Sequence, residues 1–298
     1  MSPRLLVLAI LCGACRDAPV ELRYAPAPGT VLERLVESEL QMELGEFEYA
    51  IDGEPQPGMA RLQRQLLLSF LPGGVETWDL VDRIVHVEDG RPAEILRTIV
   101  RLRSDQGLTA GWTEALDGSA HTLRRADGRI EEAGRSVPFD LDLCTLLPAE
   151  PVRRGDTWRV PLASVELLEE LELGSGDLEV ECTYAGTSRG PSGALARIEV
   201  RLEHEARADD PADALLDQGT QTPAPDEFLE IATIELNGQL LWDSDRGHAV
   251  EFTASAELAI ETSALARGAV GGRERTVETG TTITVRQRLA ETIAVAGR

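Results

Sequence analysis

From residue 31 the chain alternates. Leu32, Val36, Leu40, Met42 and Leu44 fall on one side of an extended backbone, and Glu33, Glu37, Glu39, Gln41 and Glu43 on the other, with Leu35 out of step. A period of two belongs to a strand that buries one face. The pattern returns over 61–71 (Leu62, Leu66, Leu68, Phe70), 75–87 (Trp78, Leu80, Ile84, His86) and 94–103, with a further short stretch at 108–113. It resumes over 178–184 (Leu178, Val180, Cys182, Tyr184) and 194–202 (Ala194, Ala196, Ile198, Val200, Leu202). It continues over 228–236, 239–242, 249–262 and 274–293. Turn residues separate these runs: Pro72-Gly73-Gly74, Asp89-Gly90-Arg91-Pro92, Gly190-Pro191-Ser192-Gly193, Asn237-Gly238 and Asp243 to Gly247. Loops are expected at 46–60, 118–134, 207–227 and 263–275, the third of them acidic and mobile.

Two stretches read as short helices. One is Phe139–Leu147, set between Pro138 and Pro148, and the other is Ser164–Glu170. Between them, Pro148, Pro151 and Pro161 bar a continuous helix, Gly155-Asp156 makes a turn, and Thr157–Val160 a short strand with Trp158 buried. The expected fold is all-β with minor α. Long antiparallel meander strands form two curved sheets or half-barrels, with one or two short helices near the centre. The expected organisation is a signal peptide (1–15), a Pro/Ala-rich tether (16–29), a first β-half (30–148), a hinge (149–163) and a second β-half (164–298).

Composition narrows the function classes. At 298 residues and 42 % hydrophobic, the chain can build a packed core, and with 4 % aromatics it must do so from Leu, Val, Ile and Ala. The net charge is −23, and the basic residues are all Arg, with no Lys. Nucleic acid is therefore excluded as a partner, and docking on anionic headgroups is disfavoured.

The N-terminus adds a compartment. Arg4 precedes the apolar run Leu5–Leu11, and then Cys12-Gly13-Ala14-Cys15 leads directly into Arg16-Asp17. Seven apolar residues are too few for a spanning helix, and the order of charge, apolar run and small residues is that of an export signal. Gly13-Ala14 before Cys15 resembles the lipobox of bacterial lipoproteins, with Leu11 one place earlier than usual. That resemblance implies acylation at Cys15, attachment to a membrane through the lipid, and, because Arg16 rather than Asp follows, the outer membrane. Cys144 and Cys182 remain in the folded part, either as a disulfide or as two buried thiols.

Two catalytic signatures are absent from the sequence. There is no H-E-x-x-H and no phosphate-binding glycine loop, and His86, His121, His204 and His248 are scattered. No cofactor and no metal are expected. Asp243-Ser244-Asp245-Arg246-Gly247 has the opening of a calcium loop but lacks its later ligands, so a hairpin turn explains it better.

The mid-chain residues Leu147-Pro148, Pro151-Val152 and Gly155-Asp156-x-Trp158 resemble a motif in a family of uncharacterised exported bacterial lipoproteins. That family implies an all-β fold whose motif precedes a second β-half. At fold level the chain is also similar to the lipoprotein carriers of the bacterial envelope, whose half-barrels hold acyl chains. Two functions follow as expectations. One is a non-catalytic envelope protein acting by structure or by interaction with another envelope protein. The other is a carrier of a lipid or other hydrophobic ligand, lined by Trp242, Val250, Phe252, Ala254, Ala256, Leu258 and Ile260.

Overall fold

A computed structural model describes residues 18–68, 73–88, 91–105, 118–126, 129–132, 135–136, 143–161, 178–190, 193–209, 226–270 and 273–296. Strand β1 (Val31–Ile51) turns through β2 (Glu54–Pro55) into helix α1 (Pro57–Leu68). Strands β3 (Gly74–Glu88), β4 (Arg91–Ser104), β5 (Ala120–Ala126), β6 (Arg129–Glu132) and β7 (Arg135–Ser136) follow. After a 3-10 turn at Leu143–Leu146 come β8 (Thr157–Pro161), β9 (Glu179–Gly190), β10 (Gly193–Ala208), β11 (Glu227–Asp243), β12 (His248–Val270) and β13 (Arg273–Val295).

All the strands lie in one antiparallel sheet, in the order β7-β6-β5-β4-β3-β1-β13-β12-β11-β10-β9-β8, with β2 beside β1. The all-β expectation with minor α holds, but there is one sheet rather than two. The first and last long strands meet in its middle, from Leu32 opposite Val295 to Ile51 opposite Val277. The two ends of the sheet are β7 and β8, which are neighbours in sequence and, among the described residues, are not paired with each other. The segment 149–163 is therefore not a hinge between two sheets. It joins the two outer edges of a single one.

Further expectations change. Loops are expected over 46–60 and 118–134, but residues 46–51 belong to β1, and 120–126 and 129–132 form β5 and β6. Residues 57–68 are helical where the sequence suggested a loop up to 60 and a strand over 61–71. Pro57 suits a first helical position, and Met59, Leu62 and Leu66 also stand at helical spacing, so the short apolar run fitted both periods. Arg64 fastens the helix by donating to the carbonyls of Leu44 and Gly45 at 3.1 Å each, where β1 bulges. Asn237-Gly238 makes no turn and lies inside β11. The span 263–275 is mostly strand, because β12 runs on to Val270 and β13 begins at Arg273. Finally, the Pro/Ala-rich tether is docked over much of its length, with Leu22 and Tyr24 buried. Val20 pairs with Val152, and Ala25 donates to the Gly247 carbonyl at 2.9 Å. We call residues 18–30 the strap. Of the helix expected over 139–147 the 3-10 turn is described; 108–113, 164–170 and most of 207–227 lie outside the described residues.

The sheet has a solvent face and an inner face. Along β12, Phe252, Leu258, Ile260 and Thr262 are buried while Glu251, Thr253, Ser255, Glu257 and Glu261 are exposed, as alternation requires. The strap, the 3-10 turn and Leu67 of α1 pack against the inner face.

Candidate functional site

The residues expected to line a ligand cavity mostly form core. Trp242, Phe252, Leu258 and Ile260 are each 2 % exposed or less and belong to one apolar cluster with Ile198 and Leu240. Ala254 and Ala256 are half-buried against that cluster. Val250 is also half-buried, and it is the extra residue of a bulge: Leu241 faces Glu251 while Trp242 faces Ala249. The small inward residues do not leave a void around Gly238. A Cβ there would lie 3.5 Å from Cε2 of Phe252 and 3.0 Å from the Thr253 carbonyl oxygen. A glycine inside β11 is thus a close approach, which is why Asn237-Gly238 is no turn.

The other half of the inner face carries charge. Arg97 on β4 donates from Nε and Nη2 to the two carboxylate oxygens of Asp82 on β3, at 2.8 and 2.7 Å. Arg34 on β1 donates from Nη1 to Asp82 at 2.7 Å and from Nε to Glu291 on β13. Asp82, Arg97 and Glu291 are at most 4 % exposed. Two guanidinium groups thus balance two carboxylates in a dry setting, with the planar fork that arginine alone supplies. Burial by itself would raise the pKa of Asp82, but the Arg97 and Arg34 guanidinium groups outweigh it and hold the carboxyl well below the usual range. The network separates a small cluster of Val36, Leu80, Ile99 and Leu102 from the main core.

The sequence contained a signal for this network. Arg34 sits in phase with Leu32 and Val36, Asp82 with Leu80 and Ile84, Arg97 with Ile95 and Ile99, and Glu291 with Leu289 and Ile293. A charge in phase with the apolar face has to be buried, and a buried charge needs a partner. Sorting residues by face could have found all four; pairing them required the strand order.

A half-enclosed cavity of about 60 Å3 lies where the two halves of the inner face meet. Arg34 and Asp82 border it from one half, Trp242, His248 and Ala249 from the other, with Tyr24 of the strap and Cys144 of the 3-10 turn between them. Nδ1 of His248 lies 2.6 Å from the Ala249 carbonyl oxygen. A carbonyl only accepts, so Nδ1 is the donor; in a neutral ring the lone pair would be on Nε2. That Nε2 is buried without a hydrogen-bond partner, and so is Nε1–H of Trp242.

Cys144 and Cys182 are both buried and both free of any disulfide. Burial pushes the Cys182 thiol up to about 12. The Asp243–Gly247 segment is a turn: Asp243 Oδ1 accepts from the backbone of Asp245 at 3.1 Å and of Arg246 at 2.9 Å. Gly247 has φ of +69°, and a Cβ there would lie 2.3 Å from that of Ala25. In the mid-chain motif, Trp158 is half-buried and its indole N–H donates to the Leu146 carbonyl at 3.0 Å, which ties the 3-10 turn to the edge strand β8. Gly155 has φ of +89° and donates to the Tyr184 carbonyl at 2.8 Å. The motif thus docks one outer edge of the sheet. Cys15 lies outside the described residues.

No family model matches the chain, and no curated protein does. Among solved structures it is similar to the outer membrane protein OprG from Pseudomonas aeruginosa, at TM-score 0.28 and 11 % identity, over 94 % of this chain and 100 % of that one. It is also similar to the Klebsiella pneumoniae type II secretion system outer membrane complex of PulD, PulS and the PulC HR domain. There the TM-score is 0.20 and the identity 11 %, over 92 % of this chain and 41 % of that one. Neither similarity bears on what this chain does.

Proposed function

We propose that this chain is an exported, lipid-anchored protein of the bacterial cell envelope that works without catalysis, by engaging another envelope protein at the solvent face of its sheet. One observation carries the choice of surface over interior. The inner cavity is about 60 Å3, far below the roughly 300 Å3 at which ligand sites begin. On the solvent face, by contrast, a trough of about 720 Å3 crosses β1, β13, β12 and β11. Its walls include Glu37, Glu39, Asn237, Gln239 and Arg288, and short Thr253 and Ser255 keep it open.

The anchor rests on Gly13-Ala14-Cys15 and on the docked strap. Val20 is held to Val152, and Cys15 is five residues upstream, so an acyl group there stays within roughly 17 Å of that point. Such a tether keeps the sheet close to the membrane.

Growth with a clickable fatty acid tests the anchor: the chain takes up label and Cys15→Ser does not, and a Cys15→Ser protein that still takes up label refutes it. Native mass spectrometry of Cys15→Ser purified without detergent tests the surface reading. The expected mass is that of the polypeptide alone. A co-purifying lipid that Ala256→Trp displaces would favour a carrier instead.

A further inference from the structure

Strands β3 and β4 carry apolar residues on both faces. Leu80-Val81, Ile84-Val85, Ile95-Leu96 and Ile99-Val100 are adjacent pairs, and in each the first residue is buried while the second is half-buried or exposed. Continuous apolar runs belong to strands covered on both sides, whereas the alternation of β12 belongs to a strand with one wet face. Leu35 of β1 and Leu96 and Val100 of β4 are 39, 37 and 51 % exposed. The register joins them into one patch. Leu35 stands opposite Asp79 of β3, Val81 opposite Thr98 of β4, and Leu96 between Arg83 of β3 and Thr122 of β5. Asp79, Val81 and Arg83 share the outer face, because Leu80, Asp82 and Ile84 are buried on the inner one. An exposed apolar patch with a polar surround marks an interaction surface.

Its charges differ from those elsewhere on the outer face. Arg159, Arg201, Arg286 and Arg288 each hold a glutamate of their own chain. Arg83, Arg101 and Arg103 are exposed, and among the described residues no ion pair engages them or Asp79. Asp79 and Arg101 stand opposite one another on β3 and β4, so the patch carries both signs at one level.

We propose that this patch joins two copies of the chain face to face, about a two-fold axis that runs along the strands between β3 and β4. Such an axis lays β3 of each copy over β4 of the other, and β1 over β5. Residues that are opposite in the register stay level, so Asp79 meets the partner's Arg101, the stem of Arg83 covers the partner's Leu96, and Val81 lies on the partner's Thr98. Each contact occurs twice. From Val75 to Val85 and across four strands, the face measures roughly 600 Å2 at ordinary strand spacings. The pair therefore buries about 1,200 Å2, the lower end for a stable interface. An anionic bilayer would leave Asp79 facing like charge, whereas a second copy supplies the same apolar area and the opposite charge together. The dimer needs neither acylation nor the trough, so its failure leaves the proposed function standing.

Sedimentation of the mature chain carrying Cys15→Ser, without detergent, tests the assignment. The expected particle contains two polypeptides and nothing else. Leu96→Arg sets a cation against the partner's Arg83 and should weaken association by at least about tenfold, since like charges brought together at an interface cost several kcal/mol. Arg101→Asp should do the same by facing Asp79, and Asp79→Arg added to Arg101→Asp should restore the dimer. Glu261→Arg, on the outer face of β12, should leave it intact. All four substitutions are at positions that are not buried, and circular dichroism of each checks that the chain is folded. A chain still monomeric at about 100 µM, weaker than even a poor interface of this size, would overturn the proposal. So would a dimer indifferent to Leu96→Arg, a charge exchange that restores nothing, or loss of the dimer in Glu261→Arg. A monomer that instead sediments with phosphatidylglycerol vesicles would assign the patch to lipid.

Discussion

On the inner face of β9 to β12, the sheet buries Val180, Cys182, Tyr184, Ile198, Leu240, Trp242, Phe252 and Leu258. On the inner face of β3 and β4, and at the β1–β13 seam, the same alternation buries Asp82, Arg97, Arg34 and Glu291 among Leu80, Ile84, Ile95 and Ile99. The apolar half asks only that volumes fit, since removing apolar area from water is non-directional. The charged half asks that each group find its partner in a fixed geometry, because an uncompensated buried charge costs more than the paired network gains. Damage to the first should therefore scale with volume, and damage to the second with charge left over.

The largest contrast comes from breaking the network one side at a time. Asp82→Ala leaves Arg97 and part of Arg34 uncompensated and should cost about 3–5 kcal/mol in urea unfolding. Asp82→Leu with Arg97→Met removes one charge of each sign and leaves Arg34 with Glu291, so it should recover most of that loss. A double variant as unstable as the single one would show that volume, not charge, sets the penalty there.

In the apolar half no second substitution rescues in this way. Leu258→Ala should cost about 2–5 kcal/mol by the same measurement, as for other buried leucines. A loss below about 1 kcal/mol would mean that the core around Ile198 and Leu240 collapses into the space.

The halves should also part company with pH. Asp82 has a folded pKa below its unfolded value, roughly 3.9. Its contribution is present above that value and is lost as pH falls below it, so acid weakens the charged half. Cys182 is shifted the other way, up to about 12. Its stabilising protonated state is fully present below the unfolded thiol value, roughly 8.5, and stability is lost as pH rises from there towards the folded value. Urea midpoints against pH should fall at both ends. The Asp82→Leu, Arg97→Met variant should flatten the acid limb only, and Cys182→Ala the alkaline limb only.

The smallest effect belongs to the edge. Trp158→Phe keeps the ring but loses the hydrogen bond to Leu146, for about 1 kcal/mol. Hydrogen exchange should show the loosening at 143–146 and leave β11 and β12 unchanged. Equal loosening of β11 would mean that the edge and the core unfold as one unit.

Much of this was legible along the chain. Leu32, Val36 and Leu44 are buried and Leu35 is exposed, as the period of two required. Strands β3, β9 and β11 end at Glu88, Gly190 and Asp243, where Gly, Pro and Asp residues stand in the sequence. Residues 57–68 were misread because Leu62 and Leu66 satisfy both periods, and a hydrogen bond from Arg64 to a β1 bulge is invisible before folding. Gly238 was misread because Asn-Gly usually turns, whereas here a neighbouring Phe252 ring needs the space.

Which face each residue takes is a local matter, fixed by sterics and by the contrast between apolar and polar side chains, and the sequence alone determines it. Arg34, Asp82, Arg97 and Glu291 are already consigned to the inner face by their phase with Leu and Ile. That Asp82 meets both arginines, and that Glu291 reaches Arg34 across 257 residues of sequence, was decided by the strand order. So was the meeting of Tyr24, Cys144, Trp242 and His248 around one cavity. Local periodicity carries no information about which strands become neighbours. That choice comes from closing long loops and burying whole faces together.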